Sequence, residues 1–137
     1  MPKGKQVAGK PPMHLLEREF LEGTARALGF GNQKYAAFDY RDGTTVSQFT
    51  AAAMRHLVAF MDGEDIDPES GLPHLWHLGG SVNVLCYLAR YRPKADDRPG
   101  HVQSDVRGVP GPHNADRPHS IRSIQAARRS KTNGHKR

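Results

Sequence analysis

Long apolar runs are missing from this chain: no stretch reaches the length of a membrane span or a secretory signal. Cysteine is nearly missing as well. Cys86 stands alone, so no internal disulfide can form, and the chain reads as a soluble, cytoplasmic protein of a reducing compartment with no membrane partner. Because Cys86 lies in the apolar string Val84, Leu85, Cys86, Tyr87, Leu88, it is expected to be a buried structural thiol and not a nucleophile. Hydrophobic residues occupy only 36% of the 137 positions and the mean hydropathy is −0.69, too little apolar surface for a chain that packs throughout. One small domain with unfolded flanks is the expected organisation.

Positive charge is scarce where it would matter for a phosphate-binding fold. Lys34, Arg41 and Arg55 are the only Lys or Arg between Arg26 and Arg90. Residues 1–91 hold nine Lys and Arg against ten Asp and Glu, a net −1, whereas residues 92–137 hold eleven against four, a net +7. The overall charge of +6 therefore belongs to the tail, and any weak nucleic-acid contact is assigned to it.

Periodicity divides the chain further. Residues 1–12 end in Pro11-Pro12 and carry no hydrophobic repeat, which predicts a flexible basic arm. From Met13, Leu15, Leu16, Phe20, Ala27 and Leu28 recur at helical spacing behind Glu17, Glu19 and Glu22, predicting a first helix to about Leu28 that stops at Gly29 or Gly31. A connection over 31–45 brings Lys34, Tyr35, Phe38, Tyr40 and Arg41 and closes on Asp42-Gly43. A second helix over Val46–Met61 is predicted from the stripe Phe49, Ala52, Ala53, His56, Leu57, Phe60 and Met61. Asp67 before Pro68 is a candidate helix start, and Pro73 opens a third helix that runs to Tyr91 before Pro93. The fold class expected is all-α, a small domain of three main helices over 13–91, with 92–137 a disordered basic tail.

Between the second and third helices, Asp62, Glu64, Asp65, Asp67 and Glu69 crowd into eight positions. A charge run by itself is usually a solvated connection, but five like charges beside His74 and His77 favour a cation that offsets them. The Asp-x-Asp-x-Asp-Gly order of a calcium loop is absent, and carboxylate-rich ligation points to Mg²⁺ or Mn²⁺ and so to phosphate chemistry. His74 and His77, three apart on one helix, can approach one ion or one substrate. No His-Asp dipeptide occurs, which argues against the phosphohydrolases built on that pair.

The run from Arg55 to His77, with its Gly-Glu-Asp-Ile-Asp-Pro-Glu-Ser-Gly core followed by His-x-x-His, closely resembles the N-terminal domain of the phage dATP/dGTP diphosphohydrolase family, as do Gly31-Asn-Gln-Lys-Tyr and Tyr40-Arg-Asp-Gly upstream. The resemblance spans about Leu15 to Leu88. It implies an all-helical, MazG-like fold that pairs into a homo-oligomer, located in the cytoplasm of a bacterial host. The implied activity is cleavage of a purine deoxynucleoside triphosphate to monophosphate and pyrophosphate with Mg²⁺ or Mn²⁺. On this reading Glu64, Asp67, Glu69, His74 and His77 supply metal ligands; Lys34, Tyr35, Arg41 and Arg55 contact the nucleotide; and Asp65, Arg55 and His56 serve the catalytic step, Asp65 as proton acceptor. The alternative is a noncatalytic binding module that acts through its basic tail.

Overall fold

Three helices, α1 (Arg18–Gly31), α2 (Val46–Met61) and α3 (His74–Tyr91), carry the fold in the computed structural model, which describes residues 9–101. Among those residues no strand is longer than an isolated bridge, and no helix is long and apolar enough to cross a membrane. The domain is all-α, as its periodicity predicts. The arm over 1–8 and the tail beyond His101 lie outside the described residues.

The first helix starts later than its apolar spacing suggests. Met13–Leu15 form a separate 3₁₀ turn, Leu16 is extended, and Glu17 takes the N-cap position of α1, so Leu15 and Leu16 remain exposed. The second helix has the predicted bounds, and local chemistry explains both ends. Thr45 and Gln48 make a reciprocal capping box at its start. At its end Gly63 adopts a left-handed φ of 93°, and Gly63 and Glu64 donate to the carbonyls of Phe60 and Ala59 at 3.0 Å each, which ties off the last turn.

α3 is the central element, packed on α2 along one side and α1 along the other. Val84 and Leu88 are each 1% exposed and, with Val46, form the core, flanked by Leu28, Phe49, Tyr40, Leu85, Tyr87 and Ala95. α1 crosses α3 closely because two glycines permit it: a Cβ on Gly23 would stand 2.4 Å from the Trp76 indole, and one on Gly79 would stand 2.4 Å from Thr24 Oγ1. The Trp76 ring lies over Gly23 and its Nε1–H donates to Glu19 Oε1 at 3.1 Å.

Two expectations of burial fail. Cys86 is exposed on α3, because it lies in an open groove between α1 and α3 with Phe20, Leu21 and Val82. The α2 stripe is buried only in its first half: Ala53 is buried, whereas Leu57, Phe60 and Met61 are 42%, 39% and 73% exposed. The chain also continues in order past Tyr91. Pro93–Ala95 form a 3₁₀ turn on α3, and Asp97 accepts from the backbone N–H of Ser47 at 2.8 Å and from its hydroxyl, closing the start of α2. Tyr91 therefore does not mark the end of the packed domain, and the reading of the segment from Arg92 as disordered does not hold for 92–101.

Candidate functional site

The acidic segment is a compact turn and not a helix start. Asp67 uses its Oδ1 to accept from Glu69 N–H at 3.0 Å and its carbonyl to accept from Gly71 N–H at 2.8 Å, and Gly71 has a φ of 71° that ends the turn. Asp67 N–H donates to Leu72 O and His74 N–H donates to Asp65 O, both at 2.9 Å, so the turn folds back on itself and delivers the chain into α3. The same carboxylate that could cap a helix is spent on a turn. Its second oxygen, Oδ2, faces α3.

There it meets His77, whose Nε2 lies 3.5 Å from Asp67 Oδ2 and 2.7 Å from Ser70 Oγ. His56, brought in from α2 by the packing of that helix on α3, stacks on His77 with ring centroids 4.7 Å apart and planes 12° apart. One ligand atom from each of His56, Asp67 and His77 falls within 4.8 Å of the other two, the one such group of His, Cys, Asp or Glu among the described residues. All three are half-buried, and the Asp67 and His77 side chains are only 14% and 12% exposed.

Burial and neighbouring groups set the charge of this cluster. Burial, followed by the neighbouring His77 ring, holds His56 below the ordinary histidine value of 6.5. Burial likewise lowers His77, against the pull of Asp67. Both rings are therefore neutral near pH 7, each with one nitrogen lone pair. Asp67 is ionised: burial opposes its charge, but the Glu69 N–H, the His77 ring and the Ser70 hydroxyl outweigh it and bring its pKa below 3.8. Two neutral imidazoles and one carboxylate, with no Lys or Arg among them, are a donor set that could hold a transition-series divalent ion. Mn²⁺ fits two nitrogen ligands better than Mg²⁺, which favours oxygen throughout.

The remaining sequence-derived candidates fall into different places. His74 is 5% exposed and does not converge with His77 on the cluster; its Nδ1 lies 2.9 Å from His56 Nδ1, and its Nε2 lies 3.4 Å from Glu64 Oε1. Glu64, with a side chain 52% exposed, thus stands behind His74 and outside the three-residue group. Glu69 forms an ion pair with Lys34. The Lys34 ammonium also lies 5.6 Å above the Phe30 ring, and Phe30 meets His77 edge-on at 5.9 Å, which sets Lys34 at the rim of the cluster. Asp65 is exposed and contributes its backbone carbonyl to the turn. Tyr35 is 68% exposed. Arg55 is exposed on α2 in a shallow depression with Met54, Val58, Ala59, Asp62 and Glu64. Arg41 is built into the fold: its guanidinium lies 4.2 Å from the Phe38 ring centre and 4.7 Å from that of Tyr87, near the core end of α3. Phe38 adopts a left-handed φ of 67° in this stack, and Tyr40 packs against the core.

Phe30 joins the site without a specific sequence signal, and Ser70, which stands in the Gly-Glu-Asp-Ile-Asp-Pro-Glu-Ser-Gly run, joins it without a role assigned from the sequence. Ser70 also accepts from Leu72 N–H at 3.1 Å and lies 3.3 Å from Asp67 Oδ2, so its hydroxyl connects carboxylate, turn and imidazole.

Comparison with known proteins gives two matches. Residues 1–98 match the family model described as dATP/dGTP diphosphohydrolase, N-terminal. A dATP/dGTP diphosphohydrolase of Salmonella phage PMBT28 is 33% identical over 90 residues, covering 66% of this chain and 31% of the phage protein. The chain thus spans about a third of the length of that relative. No solved structure matches.

Proposed function

The chain belongs to the family of dATP/dGTP diphosphohydrolase N-terminal domains, and from that premise we propose that it takes part in hydrolysis of purine deoxynucleoside triphosphates to monophosphate and pyrophosphate, at a divalent-cation site made by His56, Asp67 and His77. The observation that carries this reading is the convergence of two neutral imidazoles and one ionised carboxylate within 4.8 Å at the junction of α2, α3 and the acidic turn. A divalent ion held there supplies Lewis-acid stabilisation of phosphate oxygens as charge develops on them.

The chain's own residues supply the rest. His77 is held by the Phe30 edge, the stacked His56 ring and Ser70, so its ring is oriented before any ligand arrives. Lys34 is the cation best placed for phosphate, since it already pairs with a carboxylate at the rim and can trade Glu69 for a phosphate oxygen. Arg55 is a second, exposed cation one residue from His56 on α2. Asp65 and Glu64, both exposed beside the site, are the acids able to take a proton from water.

Pairing of two copies forms part of the proposal. Arg55, Val58 and Ala59 on α2 and Asp62 at its C-cap share one side of the helix, each of Val58 and Ala59 three or four residues from Arg55 and Asp62, with Met54 60% and Val58 49% exposed. An antiparallel pairing centred between Val58 and Ala59 sets Arg55 of each copy opposite Asp62 of the other and covers the apolar residues between them. A chain that sediments as a monomer at micromolar concentration contradicts this arrangement.

The test of function is incubation of the purified chain with each dNTP and Mn²⁺ or Mg²⁺, following pyrophosphate and monophosphate, with Asp67→Asn as control. Release from dATP or dGTP that is lost in the variant and in EDTA supports the proposal. Silence with every nucleotide favours the noncatalytic reading, in which a fold this short holds an ion while its basic tail binds the partner.

A further inference from the structure

The acids of the turn do not share one role. Asp67 points its Oδ2 toward His77, whereas Glu69, two residues on, pairs with Lys34 and stands outside the three-residue group. Lys34 Nζ donates to Glu69 Oε1 across 35 positions of sequence, so this ion pair ties the turn that follows α1 to the acidic turn. Both partners are anchored through their backbones. Lys34 N–H donates to Gly31 O at 3.0 Å, and Glu69 N–H donates to Asp67 Oδ1 at 3.0 Å. The carboxylate that faces His77 with one oxygen therefore holds the backbone of Glu69 with the other.

The pair is open to solvent and lies beside the cluster. The Lys34 and Glu69 side chains are 54% and 64% exposed, and the Lys34 ammonium lies over the Phe30 ring that meets His77. The hydrogen bond and charge of Glu69, with a smaller pull from Asp67, hold Lys34 above its ordinary value of 10.5, so it is fully cationic near pH 7. A carboxylate on this ammonium makes the charge-assisted contact that a phosphate oxygen would make. An ion pair so exposed is weak, and an anion of higher charge can replace it. We propose that Glu69 is a built-in competitor of the substrate: its carboxylate occupies Lys34 until a phosphate group displaces it, and opening the pair weakens the binding of any polyphosphate that uses Lys34. This rests on the reading of the site as one that holds a nucleoside triphosphate. It gives Glu69, which the sequence suggests as a metal ligand, an autoinhibitory contact instead.

The test measures binding without turnover. The probe is dATP with a methylene bridge between its α- and β-phosphates, which cannot be cleaved to monophosphate and pyrophosphate, titrated by calorimetry into the full chain in the presence of Mn²⁺. Glu69→Gln should bind it about 1.5- to 5-fold more tightly than the unsubstituted chain, the range set by the strength of exposed ion pairs, with Mn²⁺ affinity unchanged. Lys34→Ala should bind it more weakly. Adding Glu69→Gln to Lys34→Ala should restore nothing, because the competitor has lost the cation for which it competes. A gain of equal size with and without Lys34 reports general charge repulsion and overturns the proposal. So does a Glu69→Gln chain that binds the probe no more tightly than the unsubstituted one, an outcome that leaves the nucleotide reading standing. If neither chain binds the probe, the nucleotide reading fails and the competition fails with it.

Discussion

Gly23→Ala should destabilise this protein even though it replaces glycine inside a helix. In an open helix position alanine is worth about 0.5–1 kcal/mol more than glycine. At Gly23 the added Cβ would stand 2.4 Å from Cδ1 and Nε1 of Trp76, against the roughly 3.5–4 Å that non-bonded carbons prefer, so the indole or the whole of α1 must move by more than an ångström. Overpacking of this kind costs about 1–3 kcal/mol. The net expectation is a loss of about 1–2 kcal/mol, or about 5–15 °C in Tm for a domain of this size. The internal control is Gly29→Ala: Gly29 lies in the same helix, is exposed, and has nothing within 4 Å of an added methyl, so that variant should gain about 0.5–1 kcal/mol. Trp76 is the only tryptophan, so thermal unfolding followed by its fluorescence reports the contact that is being disturbed. Gly23→Ala as stable as Gly29→Ala, with an unshifted emission maximum, would refute the packing of Trp76 over α1.

Other consequences are open to measurement. Leu88→Ala removes a side chain that is 1% exposed and should cost about 2–5 kcal/mol by urea denaturation. Asp97→Ala should lower stability through the start of α2, seen as faster amide exchange at Ser47, with the cluster of histidines unaffected. In the absence of metal, stability should fall as pH drops below 6.5, because His56 and His77 resist protons that the unfolded chain accepts; it should be fully present above that pH, and chemical denaturation across pH 5–8 will show the slope or its absence. Lys34→Ala should weaken nucleotide binding while leaving Mn²⁺ affinity unchanged, since Lys34 lies at the rim and not among the ligands.

The helices themselves are legible in the sequence because each keeps its period. α2 follows from its apolar stripe, and Thr45 three residues before Gln48 carries the capping signature that fixes its start. The start of α1 is not legible, because Leu15 and Leu16 sit at helical spacing from Phe20 although the chain turns at Glu17. Asp67-Pro68 misleads for a different reason: an aspartate that accepts from the next backbone amides serves a helix or a turn equally, and the choice falls to Gly71, whose left-handed backbone ends the segment.

Within the site, Asp67 and His77 are readable from the motif, since the acidic turn runs straight into α3. His56 is readable as a stripe residue on α2 but not as a neighbour of Asp67, because that contact exists only through the packing of α2 on α3. His74 and His77, alike in sequence, meet His56 differently: three residues on a helix leave the two side chains about 60° apart, enough to place His74 at the edge of the His56 ring and His77 on its face. Arg41 reads as a phosphate ligand in a loop of aromatics, yet those aromatics close over it against Tyr87.

Binding of Mn²⁺ to the metal-free chain, followed by loss of the free-ion paramagnetic signal, probes the His56, Asp67 and His77 cluster without presupposing any reaction. One ion per chain in the unsubstituted protein, with binding removed by Asp67→Asn and kept in Glu69→Gln, is the result expected; binding that survives Asp67→Asn, or that is lost only in Glu69→Gln, would place the ion elsewhere on the acidic turn and contradict the site described here.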